Sequence, residues 1–365
     1  MKSWSLRIGK YFGIDVYIHW TFWILVLWIV LAHVRAGDAF AQSLQGVLFI
    51  LALFVCVVLH EFGHALTARR FGISTHDVTL YPIGGISSLE KLPDDPRQEL
   101  LVAVAGPAVN LVIAALLWFY LNATGNPFDL ATVEQAKDVT EIPFLWGLFY
   151  ANLILPIFNL IPAFPMDGGR ALRAFLSLFT SRLTATRIAA LIGQLLAVAF
   201  VLLGFFYNFW LVFIGLFIFL GASGENAMEQ TKVALGNLKV RDALMHQFTA
   251  LSPFSTLGEA SEALLNTQDT TFVVLDAGEV VGLLTVNEIV KGLTEAGTRV
   301  QISGFMKRDF LTVSPDMKLF DLLMELTEKG ETAAVVVEGD SHIGLVDRQN
   351  LQERIMIDQA LHPRK

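Results

Sequence analysis

Two histidines separated by three residues stand at the end of a long apolar run, in the motif His60-Glu61-Phe62-Gly63-His64. Residues four apart share one face of a helix, so both imidazole rings can bind one metal ion. Glu61 is then near enough to act on a water molecule held by that ion. This H-E-x-x-H spacing is typical of zinc hydrolases.

The setting of this motif makes it more specific than its short length suggests. The twelve residues before His60 include no charged residue, no proline and no glycine. Ionisable groups in such a membrane-grade segment are costly and usually functional. The alternative is a pair of buried histidines that are satisfied by neighbouring polar groups. It is disfavoured because two histidines and a glutamate in hydrocarbon need strong compensation for their lost hydration.

An open catalytic zinc site requires a third protein ligand. Asp167 is the best candidate, because it lies in a proline- and glycine-broken segment, 159–170, at the end of another apolar run. Irregular backbone at membrane depth is tolerated where it lines a site or a watery cavity. Three ligands leave one position for water, which zinc acidifies. Glu61 can take the proton of that water and pass it to the leaving amine. As an alternative, Asp167 caps a helix over 168–178.

Two asparagines each allow more than one role. Asn159 precedes Asp167 by eight residues and can donate a hydrogen bond to a developing oxyanion. It can equally serve as a polar residue in helix packing. Asn110 lies in another apolar segment, and packing or a hydrogen bond to a ligand side chain explains it better than catalysis does.

The charge distribution divides the chain into two parts. Of its 365 residues, 54% are hydrophobic and 16% charged, against about 25% charged in soluble domains. Residues 1–230 hold 13 Lys+Arg and 15 Asp+Glu, and residues 231–365 hold 13 and 19. The first part is therefore predicted to be a membrane domain and the second an acidic soluble domain.

The sequence also argues against several other features. No basic tract suggests nucleic acid. The single cysteine, Cys56, excludes an intrachain disulfide, and no cleavable signal peptide is expected.

The predicted fold class is an α-helical polytopic membrane domain with six spans and small membrane-associated β-hairpins, followed by a soluble α/β module. Each predicted span approaches the roughly 20 residues that a bilayer requires, the last being short. The spans are expected at 18–34, 44–68, 100–121, 144–161, 183–206 and 209–223. A first hairpin is expected from strands 5–8 and 14–18, a second hairpin at 75–90, and a polar acidic loop at 122–144.

The basic residues of the membrane domain fall mainly on one side of the six-span prediction. The opposite side has only Arg35 and Lys137. By the positive-inside rule, the protein is a multi-pass protein of the cell (inner) membrane, with both termini and the histidines toward the cytoplasm. The residues on that side are Lys2, Arg7, Lys10, Arg69, Arg70, Lys91, Arg97, Arg170, Arg173, Arg182 and Arg187.

The second hairpin suggests how a substrate is held. A peptide bond within a helix is shielded by its own hydrogen bonds, so the substrate must unwind before hydrolysis. The strand over 84–89, which begins with two glycines, can receive an unwound segment by β-addition. The alternative is a purely structural hairpin on the cytoplasmic face.

Three motifs together resemble the site-2 protease family of intramembrane zinc metalloproteases over about residues 5–225. The resemblance implies that His60, His64 and Asp167 bind zinc, that Glu61 is the general base, and that Asn159 contacts the substrate or transition state. It also implies cleavage within a transmembrane segment of another protein. The motifs are His60-Glu61-Phe62-Gly63-His64, Gly106-Pro107-x-x-Asn110 and Asn159-x-x-Pro162-x-x-Pro165-x-Asp167-Gly168.

The C-terminal part repeats one pattern twice and is similar to a tandem cystathionine-β-synthase (CBS) module. The expected boundaries are 1–225 for the membrane domain, 226–238 for a linker, and 239–297 and 298–365 for the two repeats. Many such modules bind adenine nucleotides, usually through Thr or Ser followed three residues later by Asp. The chain departs from that pattern. It has Thr285 and Glu288 in the first repeat, and Asp347 and Asn350 in the second.

These observations predict an intramembrane zinc endopeptidase that cuts a single-span membrane protein near its cytoplasmic end. The CBS tail would modulate access and form a homodimer. Two other functions stay open at this point. One is a membrane transporter with a CBS gate, although this leaves Glu61 unexplained and the chain lacks an internal inverted repeat. The other is an inactive, receptor-like relative of the protease, against which the complete ligand set argues.

Overall fold

The chain divides into two units, one ending at Asn226 and the other beginning at Ala227. The structure is a computed structural model, and it describes residues 4–37, 39–82, 84–89, 93–125, 142–267, 269–339 and 341–361. Most of the predicted loop 122–144, from residue 126 to residue 141, lies outside the described residues.

The two predicted hairpins join into one four-stranded sheet in the first unit. The strands are β1 (Ser5–Tyr11), β2 (Ile14–His19), β3 (Thr75–Tyr81) and β4 (Gly84–Leu89), in the order β1-β2-β3-β4. Each hairpin is antiparallel, and β2 pairs with β3 in parallel. Strand β4 is therefore an edge strand. The inner face of the sheet packs on the second helix through a cluster that contains Ile14, Val16, Phe62, Ala65 and Val78.

The helices of the first unit differ in their capacity to cross a bilayer. Four described helices, α2, α3, α6 and α7, are long and apolar enough to do so. Helices α1 and α4 have 16 residues each and span about 24 Å, short of the ~30 Å hydrocarbon core. Six full spans are thus not confirmed. The helices are α1 (Thr21–Ala36), α2 (Phe40–Arg69), α3 (Pro96–Ala123), α4 (Phe144–Asn159), α5 (Asp167–Ser177), α6 (Arg182–Phe206) and α7 (Trp210–Leu235).

Among the predicted boundaries that differ from the observed ones, two have a clear local reason. The first span was expected from residue 18, but the chain up to His19 is held in the sheet and α1 begins at Thr21. Helix α7 was expected to end at residue 223, yet it continues to Leu235. The apolar pattern stops there, but Gly224 does not end the helix, because most of the residues after it are good helix formers and no proline occurs before Gly236. The predicted linker 226–238 is therefore helical as far as Leu235.

Small residues let α2 and α3 approach closely. A Cβ atom added to Gly63 of α2 would lie 2.7 Å from the backbone oxygen of Ala105 in α3. Such close backbone contact is typical of helix packing in membranes, where small residues lie at the interface. It brings the end of α2 that carries the histidines against the middle of α3.

The second unit contains the same arrangement twice. Each repeat has a three-stranded sheet in which one strand pair is parallel and the other antiparallel, with two helices. The first repeat comprises β5 (Ala250–Leu251), α8 (Leu257–Asn266), β6 (Thr271–Asp276), β7 (Glu279–Thr285) and α9 (Val286–Ala296). The second comprises β8 (Leu311–Val313), α10 (Leu319–Lys329), β9 (Ala333–Glu338), β10 (Ser341–Asp347) and α11 (Arg348–Leu361).

Reciprocal backbone hydrogen bonds tie the two repeats together. Met245, ahead of β5, exchanges hydrogen bonds with Leu345 of the second repeat, and Lys307, ahead of β8, does the same with Leu283 of the first. A buried apolar cluster drawn from both sheets fills the space between the repeats. The self-similarity in the sequence therefore corresponds to a duplicated and interlocked α/β module.

Candidate metal centre

Two helices bring the predicted ligands together. Helix α2 carries His60 and His64 near its end, and α5 begins with Asp167. Met166 is the N-cap residue of α5, so the alternative in which Asp167 caps this helix is not realised. The chain turns tightly just before α5, since a Cβ atom added to Gly168 would lie 2.3 Å from the backbone oxygen of Ile161. This turn directs the Asp167 carboxylate toward α2.

The three side chains converge through one atom each. Asp167 Oδ2 is 3.2 Å from His60 Nε2 and 3.2 Å from His64 Nε2, and the two Nε2 atoms are 3.1 Å apart. All three residues are buried. Ligand atoms at the corners of a tetrahedron around zinc, with bonds of about 2.0–2.1 Å, are separated by roughly 3.3 Å. The observed triangle therefore has the size that a zinc ion requires.

In each histidine ring, the hydrogen bond made by Nδ1 determines whether Nε2 is free to bind a metal. His60 Nδ1 lies 2.6 Å from Asn110 Oδ1, and His64 Nδ1 lies 2.7 Å from the backbone oxygen of Val102. Because both partners are oxygen acceptors, both Nδ1 atoms carry the proton and both Nε2 atoms present a lone pair. Two lone pairs and a carboxylate oxygen at this distance repel one another unless a cation lies among them. The donor set therefore fits zinc.

Gly106 of α3 provides the space for such an ion. A Cβ atom added there would lie 2.2 Å from His64 Nε2 and 2.7 Å from His60 Nε2. Any other residue type at this position would thus occupy the point where the ligand atoms meet. The glycine of the Gly106-Pro107 motif is explained by this contact.

The triangle opens on a cleft of about 530 Å³. Glu61 lines this cleft opposite β4, since a Cβ atom added to Gly85 would lie 2.8 Å from Glu61 Cγ. Asn159, the last residue of α4, also lines it. Neither side chain is hydrogen-bonded within the part of the chain that the structure describes. Both are consequently available to a substrate in the cleft.

Sequence reasoning missed two polar residues of this region. Arg170, regarded only as a cytoplasmic anchor, lines the cleft. Asn152 was not considered, although a polar side chain within the apolar segment 144–161 is itself a signal. It is fully buried and accepts a hydrogen bond from Asn110, the residue that contacts His60 Nδ1.

The nucleotide-site candidates of the second unit all lie at helix N-termini. The Glu288 carboxylate accepts hydrogen bonds from the backbone N–H and the hydroxyl of Thr285, which forms a capping box for α9. Asp347 Oδ1 accepts from the backbone N–H of Asn350 at 2.8 Å. Burial raises the pKa of Asp347. The side chains of Thr285, Glu288 and Asp347 therefore have structural roles at these helix ends, and adenine-nucleotide binding stays a prediction.

Comparison with known proteins matches a family model to each of the two units. The model of peptidase family M50 matches residues 48–126 and 120–204, and the CBS domain model matches 240–295 and 302–357. Zinc metalloprotease MJ0392 of Methanocaldococcus jannaschii is 31% identical over 97% of this chain and 97% of its own length. The solved structure of the site-2 protease from Methanocaldococcus jannaschii is 36% identical and covers 61% of this chain and 95% of its own, with a TM-score of 0.46.

Proposed function

Because the chain belongs to peptidase family M50, the site-2 protease family of zinc metalloproteases, we propose that His60, His64 and Asp167 hold its zinc ion. The protein is an intramembrane zinc endopeptidase of regulated intramembrane proteolysis and carries a C-terminal CBS module. The single observation that carries the ligand assignment is the meeting of three lone-pair atoms within 3.2 Å of one another in a buried site.

The residues around the three ligand atoms have different roles in peptide hydrolysis. A bound zinc ion would supply Lewis-acid activation of water and of the scissile carbonyl group. Glu61 accepts the proton released by the attacking water and delivers it to the nitrogen of the leaving amine. Asn159 donates a hydrogen bond from its amide to the carbonyl oxygen as negative charge develops there. The free side chains of Glu61 and Asn159 in the cleft support these roles.

The substrate enters as an extended strand. Strand β4 is the edge of its sheet, and Gly84, Gly85 and Ser87 line the cleft that contains Glu61. The free backbone groups of an edge strand can pair with an added strand. An unwound segment of a single-span membrane protein would pair with β4 and present its peptide bond to Glu61.

The location and regulation of the enzyme follow from its charges and its tail. The excess of basic residues near the histidines supports an inner-membrane protein whose active site faces the cytoplasm. Cleavage would then occur near the cytoplasmic end of the substrate span. The tandem CBS module would modulate the cleavage rate and dimerise two copies of the chain.

Zinc content tests the ligand assignment. The detergent-purified protein is expected to hold about one zinc per chain. His60→Ala and Asp167→Ala are each expected to lose or weaken it, whereas Glu61→Gln retains zinc. Unchanged zinc in Asp167→Ala would exclude this residue as third ligand. A folded protein that neither contains nor takes up zinc would contradict the whole site.

Cleavage of a membrane substrate by the same variants separates catalysis from binding. Glu61→Gln is expected to lower the cleavage rate by roughly 10²–10⁴, the typical contribution of general acid–base catalysis. Full activity in this variant would exclude Glu61 as the base. A wild-type protein that binds zinc and a substrate without cutting it would instead indicate the receptor-like alternative.

A further inference from the structure

Asn152 is a polar side chain without a role in the proposed mechanism, and it is completely buried in α4. It lies seven residues before Asn159 and does not line the cleft. A buried amide in an apolar helix is unfavourable unless its hydrogen bonds are satisfied. Those of Asn152 are satisfied, and one of them leads to the metal centre.

A chain of three hydrogen bonds connects the backbone of α4 to His60. Asn152 Nδ2 donates to the backbone oxygen of Leu148 at 2.8 Å. Asn110 Nδ2 donates to Asn152 Oδ1 at 2.8 Å. His60 Nδ1 donates to Asn110 Oδ1 at 2.6 Å. Asn110, like Asn152, has no exposed surface, so no solvent competes for these bonds.

The direction of this chain is imposed at its start. The Leu148 carbonyl can only accept, so the Asn152 amide must turn its NH₂ group toward it. This leaves Asn152 Oδ1 toward Asn110, which must then turn its own NH₂ group toward Asn152. The Asn110 oxygen consequently faces His60, whose Nδ1 must carry a proton to donate. Each orientation follows from the preceding one.

The two histidines differ in this respect. His64 Nδ1 donates to the backbone oxygen of Val102, an acceptor that cannot rotate. His60 relies on a side-chain amide, which has two orientations related by a flip. A flipped Asn110 would present NH₂ to His60 Nδ1, so the ring proton would move to Nε2, the atom that faces Asp167 and His64. A protonated Nε2 cannot bind a metal.

We propose that Asn152 is a positioning residue that fixes the orientation of Asn110, and through it holds His60 in the tautomer that binds zinc. This inference rests on the proposed function in one respect, namely that His60 is a zinc ligand. Outer residues that orient a metal-binding histidine typically contribute 10–100-fold to metal affinity. Here the contribution would come from a residue two hydrogen bonds away from the ring.

Zinc affinity of the full-length protein, measured by competition with a chromophoric chelator, tests the proposal. Asn152→Leu keeps the number of side-chain heavy atoms and removes the hydrogen bonds to Leu148 and from Asn110 that form the route, and we expect about 10–100-fold weaker zinc binding. Cys56→Ala is the nearest control, because Cys56 Sγ contacts Asn152 Nδ2 at 3.4 Å but lies off the route to His60. Gln194→Leu removes a hydrogen bond to Ser223 elsewhere in the unit. Both controls are expected to bind zinc as the unmodified protein does.

A double-mutant cycle separates the relay from a general packing effect. Asn110→Leu is expected to weaken zinc binding, and adding Asn152→Leu to it should change the affinity by less than about twofold, because the route is already broken. Asn152→Asp should restore affinity, since its oxygen still accepts from Asn110 and burial keeps the carboxyl protonated to donate to Leu148. Independent losses in the cycle, or equal losses in Asn152→Leu and its controls, would overturn the proposal.

The ring tautomer gives a readout that does not depend on metal. In the metal-free protein labelled with ¹⁵N-histidine, the ring shifts of His60 should report a proton on Nδ1, and Asn152→Leu should move a fraction of it to Nε2. An unchanged tautomer would refute the relay even if zinc binding fell. If His60→Ala itself left zinc binding unchanged, the proposed function would fail instead, and the two failures are thereby distinguished.

Discussion

His60 and His64 have the same side chain and the same proposed ligand role, yet the protein orients them by different means. A backbone carbonyl of α3 holds His64, and a side-chain amide of α3 holds His60. Asp167 approaches from α5, so three helices contribute to one point. At the scale of single residues, zinc binding therefore depends on the ligand side chains and also on the residues of α3 that orient them.

The absence of a side chain at Gly106 is predicted to be necessary for zinc binding. Gly106→Ala is expected to abolish or strongly weaken zinc binding, because its Cβ atom would lie 2.2 Å from His64 Nε2. Gly224→Ala is the matched control, since a Cβ atom there meets nothing within 4 Å. This control should bind zinc normally and be unchanged or more stable by about 0.4–1 kcal/mol. Retained zinc in Gly106→Ala, measured by elemental analysis, would contradict the assigned geometry.

At the scale of elements, the free edge of β4 is predicted to bind the substrate. Proline substitution at Ile86 or Ser88 removes a backbone donor and should reduce cleavage of a membrane substrate while zinc is retained. Ile8→Pro is a control at the opposite edge, because β1 has a pairing irregularity between Arg7 and Gly9. Unchanged cleavage in both β4 variants would favour a purely structural hairpin.

A buried ion network holds four helices around the candidate site. Arg173 of α5 is 1% exposed and donates to Glu99 of α3 at 2.8 Å and to Glu225 of α7 at 2.6 Å. Arg182 of α6 donates to the second oxygen of Glu99 at 2.9 Å. The charge distribution had assigned Arg173 only to a cytoplasmic loop, whereas it lies on the helix that begins with Asp167. The network thus connects the position of α5 to its neighbours.

Loss of one partner of this network should be more damaging than loss of a surface ion pair. Glu99→Leu is expected to destabilise the protein by roughly 3–5 kcal/mol, because Arg173 would keep a buried charge without its main partner. Adding Arg173→Leu should recover part of this loss. Asp15→Asn, which breaks the exposed Arg7–Asp15 pair, should change stability by less than about 1 kcal/mol. Denaturant unfolding in detergent measures all three, and equal effects of Glu99→Leu and Asp15→Asn would contradict this account.

At the scale of the whole molecule, the asymmetry of basic residues predicts orientation. Arg35 is the penultimate residue of α1 and Arg70 directly follows α2, and both are exposed. In a Cys56→Ala background, Arg35→Cys should react with a membrane-impermeant maleimide in intact cells, and Arg70→Cys should react only after permeabilisation. Labelling of Arg70→Cys in intact cells would place the zinc motif on the outer side and refute the proposed orientation.

The sequence alone was sufficient for features that depend on local spacing. Helical periodicity places His60 and His64 on one face, apolar runs indicate membrane helices, and self-similarity indicates a duplicated tail. The family resemblance and the CBS module were confirmed by the comparisons. Local pattern failed where pairing or propensity overrides hydropathy, as at the start of α1 and the end of α7.

Tertiary structure decided the contacts between distant segments. His60 is 50 residues from Asn110 and 107 from Asp167 along the chain, and Asn110 is 42 from Asn152. Which buried polar groups meet depends on how the helices pack and on where glycine lets them approach. No local pattern encodes that information, so Gly106, Asn152 and the Arg173 network acquire their meaning only in the folded protein.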